Sequence, residues 1–344
     1  MSGSSRAVSS CHTSWVDLKQ LEDTMAELGQ PPYRTGQVWE WLARGAGSFE
    51  EMTNLPASLR EELGGKLPIS TLEVDASMKS VDGTEKALFM TADSRPVEAV
   101  LMRYRDGRRS LCLSSQSGCP LTCTFCATGT MKFGRNLTES EILDQALHFR
   151  RIEPVNHAVF MGMGEPMMNL DNVLAVCERL PEVGIANSHT TVSTVGWLPG
   201  IERMTTDGPA VRLALSLHAP NEELRSEIMP VNDRYSMTEV VAACREWRHT
   251  RKRKVFIEYL MLEGVNDSVE LAHELADLLL PKNDFKVNLI PYNPSGTGYQ
   301  GSPRDSIERF RDILMKRGIH ATVRLTRGRD IDAACGQLAA KAAA

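Results

Sequence analysis

The sequence contains no long apolar run and no apolar leader. No stretch of its 344 residues approaches the ~20 apolar residues that a membrane-spanning helix needs. The opening stretch MSGSSRAVSS lacks the apolar core of a secretory signal, so we expect a cytoplasmic protein with a flexible tail over residues 1–11. With 42% apolar and 24% charged residues, the composition excludes disordered, collagen-like and coiled-coil classes. The length predicts about two domains.

An excess of basic charge is also missing. The net charge of −5 provides no bulk attraction for nucleic acid. Basic residues nevertheless cluster in three stretches, 103–109, 245–254 and 324–329. Each stretch can contact phosphate groups or form an ordinary solvated face, and the sequence leaves both interpretations open.

Two common cofactor motifs are incomplete. MGMGEP at 161–166 has a G-x-G but lacks the later glycine of a dinucleotide-binding loop. His273 and Glu274 are not followed by a second histidine at position 277, where a zinc protease would need one. The sequence therefore indicates neither of these two functions.

Apolar periodicity divides the chain into three segments. Residues 12–70 show three helix-like patterns, and residues 71–115 show short strand-like runs separated by turns. From residue 116 onward helices and strands alternate, which predicts an α/β fold with a parallel sheet. Capping-box spacing marks two helix starts, Thr138 with Glu141 and Ser236 with Glu239. The predicted helices cover 138–151, 170–183, 236–249, 267–280 and 304–317, and the predicted strands cover 157–161, 189–194, 211–217, 254–261, 285–291 and 320–325.

Three of the eight cysteines share one short loop with C-x3-C-x2-C spacing, Cys119, Cys123 and Cys126. Three thiolates can bind three irons of a [4Fe–4S] cluster and leave the fourth iron open for S-adenosylmethionine (SAM). A reducing compartment makes structural disulfides unexpected, which favours a metal or redox role. The alternative is a structural zinc site with Cys112 or His218 as the fourth ligand.

Five motifs follow one another along the chain, CPLTCTFCATGTMKFGRN at 119–136, MGMGEPMMN at 161–169, SLHAPN at 216–221, NLIPYNP at 288–294 and RGRDIDAACGQL at 327–338. The cysteine triplet resembles the radical SAM superfamily. Together the motifs closely resemble the RlmN/Cfr family of RNA adenosine methyltransferases, and the RlmN branch most. The resemblance extends from about Leu18 to Leu338, and EMTNLPASLREEL at 51–63 matches the accessory module of the family.

The resemblance implies a fold and a domain plan. We expect a partial (β/α)6 barrel over residues 116–338, with about six parallel strands and the cluster loop after the first of them. A helical, RNA-binding accessory domain over 12–70 and a β-rich connecting segment over 71–115 would precede it, and residues 339–344 would form a tail.

The family motifs also imply the cofactor contacts. Cys119, Cys123 and Cys126 would hold the [4Fe–4S] cluster. Contacts to SAM would come from residues at or near the ends of strands, Gly164, Glu165, Ser193, Ser216, Leu217, His218 and Asn293. The carboxylate of Glu165 would receive the amino group of SAM.

Catalysis would depend on three further residues. Cys335 would take a methyl group from one SAM, and a second SAM would be cleaved to a 5′-deoxyadenosyl radical that activates this methyl group. Cys112 would release the product by forming a disulfide with Cys335, and Glu98 would accept the ring proton. By contrast, Cys177 and Cys244 lie on apolar helix faces and are predicted to be core, and Cys11 in the tail has no expected role.

The implied substrates are adenosines in large-subunit rRNA and beside the anticodon of tRNA, methylated at C2. The expected partners are these RNAs and an electron donor of the flavodoxin or ferredoxin type, with the protein acting as a monomer and without a membrane. Three alternatives remain, namely methylation at C8 as in the Cfr branch, a radical enzyme for a small molecule, and a non-catalytic zinc or iron RNA-binding module.

Overall fold

The computed structural model describes residues 18–339, which fall into two compact units, one up to Thr71 and one from Leu72 onward. Cys11 lies outside the described residues, as do residues 340–344. No helix among the described residues is long and apolar enough to cross a membrane.

The first unit is helical, as the sequence predicts. Its helices are α1 Leu18–Glu27, α2 Tyr33–Arg44 and α3 Ala57–Lys66. A Pro-Pro break precedes α2, and Gly45 ends it in the left-handed region at φ 100°. The helices bury apolar side chains at helical spacing, Leu21, Met25, Val38, Leu42, Leu59 and Leu63.

The second unit is built on one ten-stranded sheet with the order β1-β2-β3-β4-β7-β8-β9-β10-β11-β12. The pairings from β1 to β4 are antiparallel, and those from β4 to β12 are parallel. The antiparallel strands are β1 Glu73–Lys79, β2 Glu85–Met90 and β3 Pro96–Arg103. The parallel strands are β4 Arg109–Cys112, β7 His157–Phe160, β8 Thr190–Thr194, β9 Arg212–Ser216, β10 Val255–Met261, β11 Phe285–Pro291 and β12 Ala321–Val323.

This arrangement confirms the predicted α/β class and partial barrel. The parallel part has seven strands, because β4 pairs with β7 in parallel and so is the first strand of the barrel. Within the described chain no pairing joins β12 back to β4, so the barrel stays open. A small second sheet of β5 Gln116–Ser117 and β6 Arg135–Asn136 brackets the cysteine loop.

Helices follow most of the parallel strands. The second unit contains α4 Glu139–Ile152, α5 Leu170–Val183, α6 Leu198–Thr206, α7 Glu222–Ile228, α8 Met237–Arg251, α9 Val269–Leu278 and α10 Arg304–Lys316. Both predicted capping boxes are present, at the starts of α4 and α8. The sequence did not predict α6 and α7, which at nine and seven residues are too short for a clear apolar period.

Several arginines of the basic stretches are paired with acids within the protein. Arg103 and Arg109 both bind the carboxylate of Glu153. In the second stretch, Arg245 lies 2.9 Å from Asp284. In the third, Arg324 keeps only 21% of its side chain exposed. These arginines therefore stabilise the fold more than they offer free charge to RNA phosphates.

Candidate active site at the carboxyl ends of the parallel strands

The cysteine loop directly follows the first barrel strand. Gly118 opens it at φ 73°, where a Cβ would lie 2.6 Å from the carbonyl oxygen of Lys132, so only glycine fits there. The Thr124 amide donates to the Ile228 carbonyl at 3.1 Å and ties the loop to the end of α7. The tight β5–β6 bracket and this bond fix the backbone between the three cysteines.

The surroundings of the three cysteines disfavour the thiolate form of their side chains. Burial raises the pKa of Cys119 to about 12, and it raises the pKa of Cys123 and Cys126 as well. Repulsion from other cysteines of the loop adds to the pKa shifts of Cys119 and Cys123, and repulsion from Cys335 adds to that of Cys126. Bound iron overcomes both effects because it stabilises thiolate directly. The donor set therefore fits a cationic iron–sulfur centre.

A closed zinc site is not formed. No group of three or more His, Cys, Asp or Glu side chains within residues 18–339 could hold a single metal ion. The Leu260 amide donates to Nδ1 of His218 at 3.0 Å, and burial lowers the pKa of His218 to about 3. The neutral ring thus carries its proton on Nε2 and has no lone pair left for zinc.

A cavity of about 730 Å³, here called the main cavity, opens beside the loop. It lies at the carboxyl ends of the parallel strands, where barrel folds bind their ligands. Its wall contains predicted site residues from five separate segments, Cys126, Gly164, Glu165, Ser193, Ser216, His218 and Cys335.

Glu165 is a buried carboxyl held in place by backbone amides. It accepts hydrogen bonds from the amides of Met167 at 3.0 Å and Val195 at 2.9 Å. Burial raises its pKa to about 7, against the lowering effect of these bonds. Gly164 precedes it at φ 94°, and a Cβ there would meet Gln116 at 2.5 Å. A buried carboxylate that lacks a cation is suited to the ammonium group of SAM.

Among the buried acceptor atoms of residues 18–339 that have no hydrogen-bond partner are Oε2 of Glu258 and Oδ1 of Asn293. Glu258 is on the main cavity wall, next to the hydroxyls of Ser193 and Ser216, which are 3.4 Å apart. Unsatisfied buried acceptors are costly, so a ligand with hydroxyl or amino donors fits here. SAM carries both kinds of donor, and the residues present therefore fit the cofactor.

Leu217 and Asn293 do not line the main cavity. Leu217 is fully buried, and its amide donates to the Glu258 carbonyl at 3.0 Å. Asn293 lies on the wall of a second cavity of about 480 Å³, which we call the thiol cavity. The thiol cavity also contains Cys112, Cys335 and Arg324.

The structure brings Cys112 and Cys335 to the same cavity although 223 residues separate them. Burial raises the pKa of Cys112 to about 12, and Cys335 adds to the shift, whereas Arg324 opposes it. All seven cysteines within the described chain are free thiols. The predicted disulfide is thus not formed in this state.

Sequence reasoning missed Glu258 and Arg324. Both line the main cavity, and their charged groups approach within 3.7 Å. A lone glutamate inside the apolar strand KVFIEYLM was a usable signal, since an unpaired charge is rarely placed in a barrel strand without a purpose. Arg324 was hidden in a basic stretch that had an ordinary solvated interpretation.

Glu98 is buried and lies on neither cavity wall. The ammonium of Lys86 is 2.8 Å from its Oε1, and the Ala339 amide donates to its Oε2 at 2.9 Å. An ordinary exposed strand glutamate is therefore ruled out. Cys177 and Cys244 are fully buried in α5 and α8, which confirms that they belong to the core.

Comparison with known proteins agrees with this site. The model of the radical SAM superfamily matches residues 113–276, and that of the ribosomal RNA large subunit methyltransferase N-terminal domain matches residues 15–69. The dual-specificity RNA methyltransferase RlmN of Anaeromyxobacter dehalogenans is 44% identical over 94% of this chain and 90% of its own length. The RlmN protein of Pelobacter propionicus is 43% identical over 95% of both chains.

A solved structure shares the fold. The crystal structure of a radical SAM methyltransferase from Sphaerobacter thermophilus has a TM-score of 0.88 and 41% identity, covering 96% of this chain and 99% of that one. The radical SAM superfamily uses a [4Fe–4S] cluster and SAM. With its cysteine loop, its cavities and these relatives, the chain belongs to the RlmN family of radical SAM RNA methyltransferases.

Proposed function

We propose that this protein methylates C2 of adenosine in 23S rRNA and in tRNA beside the anticodon. The observation that carries the proposal is the pair of distant thiols, Cys112 and Cys335, on one cavity wall. Cys335 also faces the main cavity, so it can serve both the cofactor and its thiol partner. A radical enzyme that acts on a small molecule has no use for such a pair.

Cys119, Cys123 and Cys126 would hold the cluster, and Glu165, Ser193, Ser216 and His218 would orient SAM. When bound, these cofactors supply methyl groups and one-electron chemistry. The rings of Phe125 and His218 form a T-shaped contact with 4.9 Å between their centroids, and this contact holds the His218 ring in place on the wall of the main cavity. Asn293 and Leu217 would act from outside the main cavity wall, Leu217 through its backbone.

Cys335 would carry the methyl group. Its thiolate would take the methyl group of one SAM by nucleophilic displacement, which would form a thioether on Cys335 and release S-adenosylhomocysteine. The side chain of Arg324 lines both cavities together with Cys335. This arrangement suits the electrophilic C2 atom, which cannot attack a sulfonium methyl group itself.

Glu98 would accept the proton that C2 loses, and Cys112 would attack the sulfur of Cys335. This attack would break the bond between that sulfur and the methylene carbon, which would take up a proton and leave as the methyl group of the base. The one electron left over from the radical addition would return to the bound cluster. In the structure Lys86 and the Ala339 amide hold the two oxygens of Glu98. Glu98 lines neither cavity, so its carboxylate would have to move toward the base to accept this proton. Release leaves a disulfide, which the electron donor of the flavodoxin or ferredoxin type or another thiol must reduce.

The proposal is tested by nucleoside mass spectrometry after an anaerobic reaction. The cluster-loaded protein is given SAM, a reductant, and either rRNA or tRNA, with authentic 2-methyladenosine and 8-methyladenosine as standards. We expect 2-methyladenosine with both RNAs and none with Cys335→Ala. Cys177→Ala serves as a matched control because Cys177 is buried in α5, and its variant should keep the activity.

Each outcome is informative. 8-Methyladenosine as the product would overturn the C2 assignment and place the protein in the Cfr branch. Cleavage of SAM without either nucleoside would favour the small-molecule alternative.

A further inference from the structure

The segment that carries Cys335 is held from several sides. The Ala127 amide donates to the Gly336 carbonyl at 2.9 Å, and the Thr128 hydroxyl donates to the Leu338 carbonyl at 2.6 Å. Apolar side chains on either side of Cys335 pack against β3 and β4, among them Ile331, Ala333 and Leu338 against Val100, Met102 and Cys112. Residues 332–339 thus lie as an ordered strap, although they contain no helix or strand.

Two charged residues hold this strap at its two ends. Lys86 Nζ donates to the Asp332 carbonyl at 3.3 Å, on the amino-terminal side of Cys335. Oε2 of Glu98 accepts from the Ala339 amide at 2.9 Å, on the carboxyl-terminal side. The two contacts therefore straddle the reactive thiol.

Lys86 and Glu98 form one unit. In the antiparallel pairing of β2 with β3, Glu98 lies opposite Leu88, so Lys86 projects from the same face one diagonal position away. Their charged groups are 2.8 Å apart, and their side chains are 7% and 1% exposed. The cation and the anion thus neutralise each other while each keeps a hydrogen bond for the strap.

A buried ion pair is an expensive way to gain stability. Two apolar residues of similar size often serve as well or better. Apolar residues, however, cannot form hydrogen bonds with the carbonyl and amide groups of a neighbouring backbone segment. The presence of a buried charge at each end of the segment that carries Cys335 therefore indicates a positioning role.

We propose that Lys86 is a positioning residue for Cys335, acting with Glu98 as a two-point clamp on residues 332–339. The clamp keeps the Cys335 sulfur at the junction of the main cavity and the thiol cavity. The functional meaning of the clamp rests on the proposed role of Cys335. Such placement matters because small displacements of a reacting group cause large losses of rate.

The test compares Lys86→Met with the rescue variant Lys86→Arg. The matched control is Lys79→Met, since Lys79 is an exposed lysine of the neighbouring strand β1. Hydrogen–deuterium exchange of residues 332–339 is followed in the cluster-loaded protein without RNA. Lys86→Met removes the donor to the Asp332 carbonyl and the cation that holds Glu98 in place. Exchange over residues 332–339 should therefore become at least about tenfold faster, since bonds to charged groups are among the stronger ones. Arginine should restore the protection, and the control should match the wild type.

The second readout is the rate at which SAM methylates Cys335, followed by mass spectrometry of the intact protein in one turnover. Lys86→Met should slow this step at least about tenfold while iron content and cluster absorbance stay unchanged. The double variant Lys86→Met with Glu98→Leu covers a failure to fold, because an apolar pair restores packing without the clamp. It should be stable and still show fast exchange.

Unchanged exchange and unchanged Cys335 methylation in the stable double variant would overturn the proposal. The exchange measurement involves no RNA and no product. The exchange result can therefore be interpreted even if the C2-methylation proposal fails. Exchange of residues 332–339 as slow in Lys86→Met as in the wild type would refute the clamp, even if the enzyme is active.

Discussion

Glu98, Glu165 and Glu258 are buried acids held in three different ways. Glu165 is held by amides, Glu258 by the Asn288 side chain at 2.9 Å, and Glu98 by the ammonium of Lys86. Burial raises the pKa of both Glu165 and Glu258. Glu165 and Glu258 face the main cavity, where donor groups of a ligand can bind them, whereas Glu98 is already paired with Lys86.

The thiol pair leads to a prediction for Cys112. In Cys112→Ala the base should stay attached to Cys335, because the thiol that attacks this sulfur is missing. Release of methylated RNA should fall at least about 100-fold, a typical loss for a group that acts in a chemical step. The measurement is a denaturing gel with labelled tRNA, on which a covalent protein–RNA species should appear.

The control for this experiment is Cys244→Ala, because Cys244 is a fully buried thiol in α8 that lines neither the main cavity nor the thiol cavity. It should release RNA like the wild type. Free methylated RNA from Cys112→Ala at the wild-type rate would refute the role of Cys112.

At the residue scale, the sequence indicated which residues lie at the cavities better than it indicated which contacts they make. The family resemblance pointed to Cys335, Cys112 and Glu165, and all three lie on cavity walls. They could not reveal that Glu98 is tied to Lys86, because that contact depends on the register of β2 and β3. The place of Arg324 depends likewise on where β12 ends.

At the scale of elements, the short helix α7 links two strand ends. Its Arg225 is fully buried and donates to the Val195 carbonyl at 2.5 Å, the Leu217 carbonyl at 3.3 Å and Oδ1 of Asn232 at 2.7 Å. Val195 follows β8 and Leu217 follows β9, the strands that carry Ser193 and Ser216. One side chain thus fixes the spacing of the strand ends around the main cavity.

Arg225→Met should therefore destabilise the protein by about 3 kcal/mol or more, because it leaves buried carbonyls without donors. The change is measured as the free energy of unfolding in urea. Arg225→Lys should recover only a small part, since an ammonium cannot reproduce the planar fork of donors. A free energy of unfolding equal to the wild type in Arg225→Met would contradict this account of α7.

Long elements with a clear apolar period were predictable, and short ones were not. Helices α4 and α8 have capping boxes, and their predicted starts agree with the structure within one residue. The strand Glu73–Lys79 escaped prediction because it is an edge strand with an exposed or half-exposed pattern. Tertiary pairing with β2, rather than local sequence, defines it.

At the scale of the whole molecule, the chain consists of a helical unit and a larger barrel unit. The barrel unit contains every residue that the motifs assign to the cofactors and to catalysis. From apolar periodicity, the sequence predicted a helical segment over residues 12–70. It did not predict that β4 belongs to the parallel sheet, because a strand's partners lie far away in the chain.

The central claim is that the methyl group reaches RNA through Cys335. The most direct test loads the protein with trideuteromethyl-labelled SAM, removes free SAM, and then adds unlabelled SAM, reductant and tRNA. The account predicts that the first turnover yields 2-methyladenosine with two deuterium atoms, because the methyl group on Cys335 loses one hydrogen before it joins C2. An unlabelled methyl group in that first product would contradict the account, since it would come directly from free SAM.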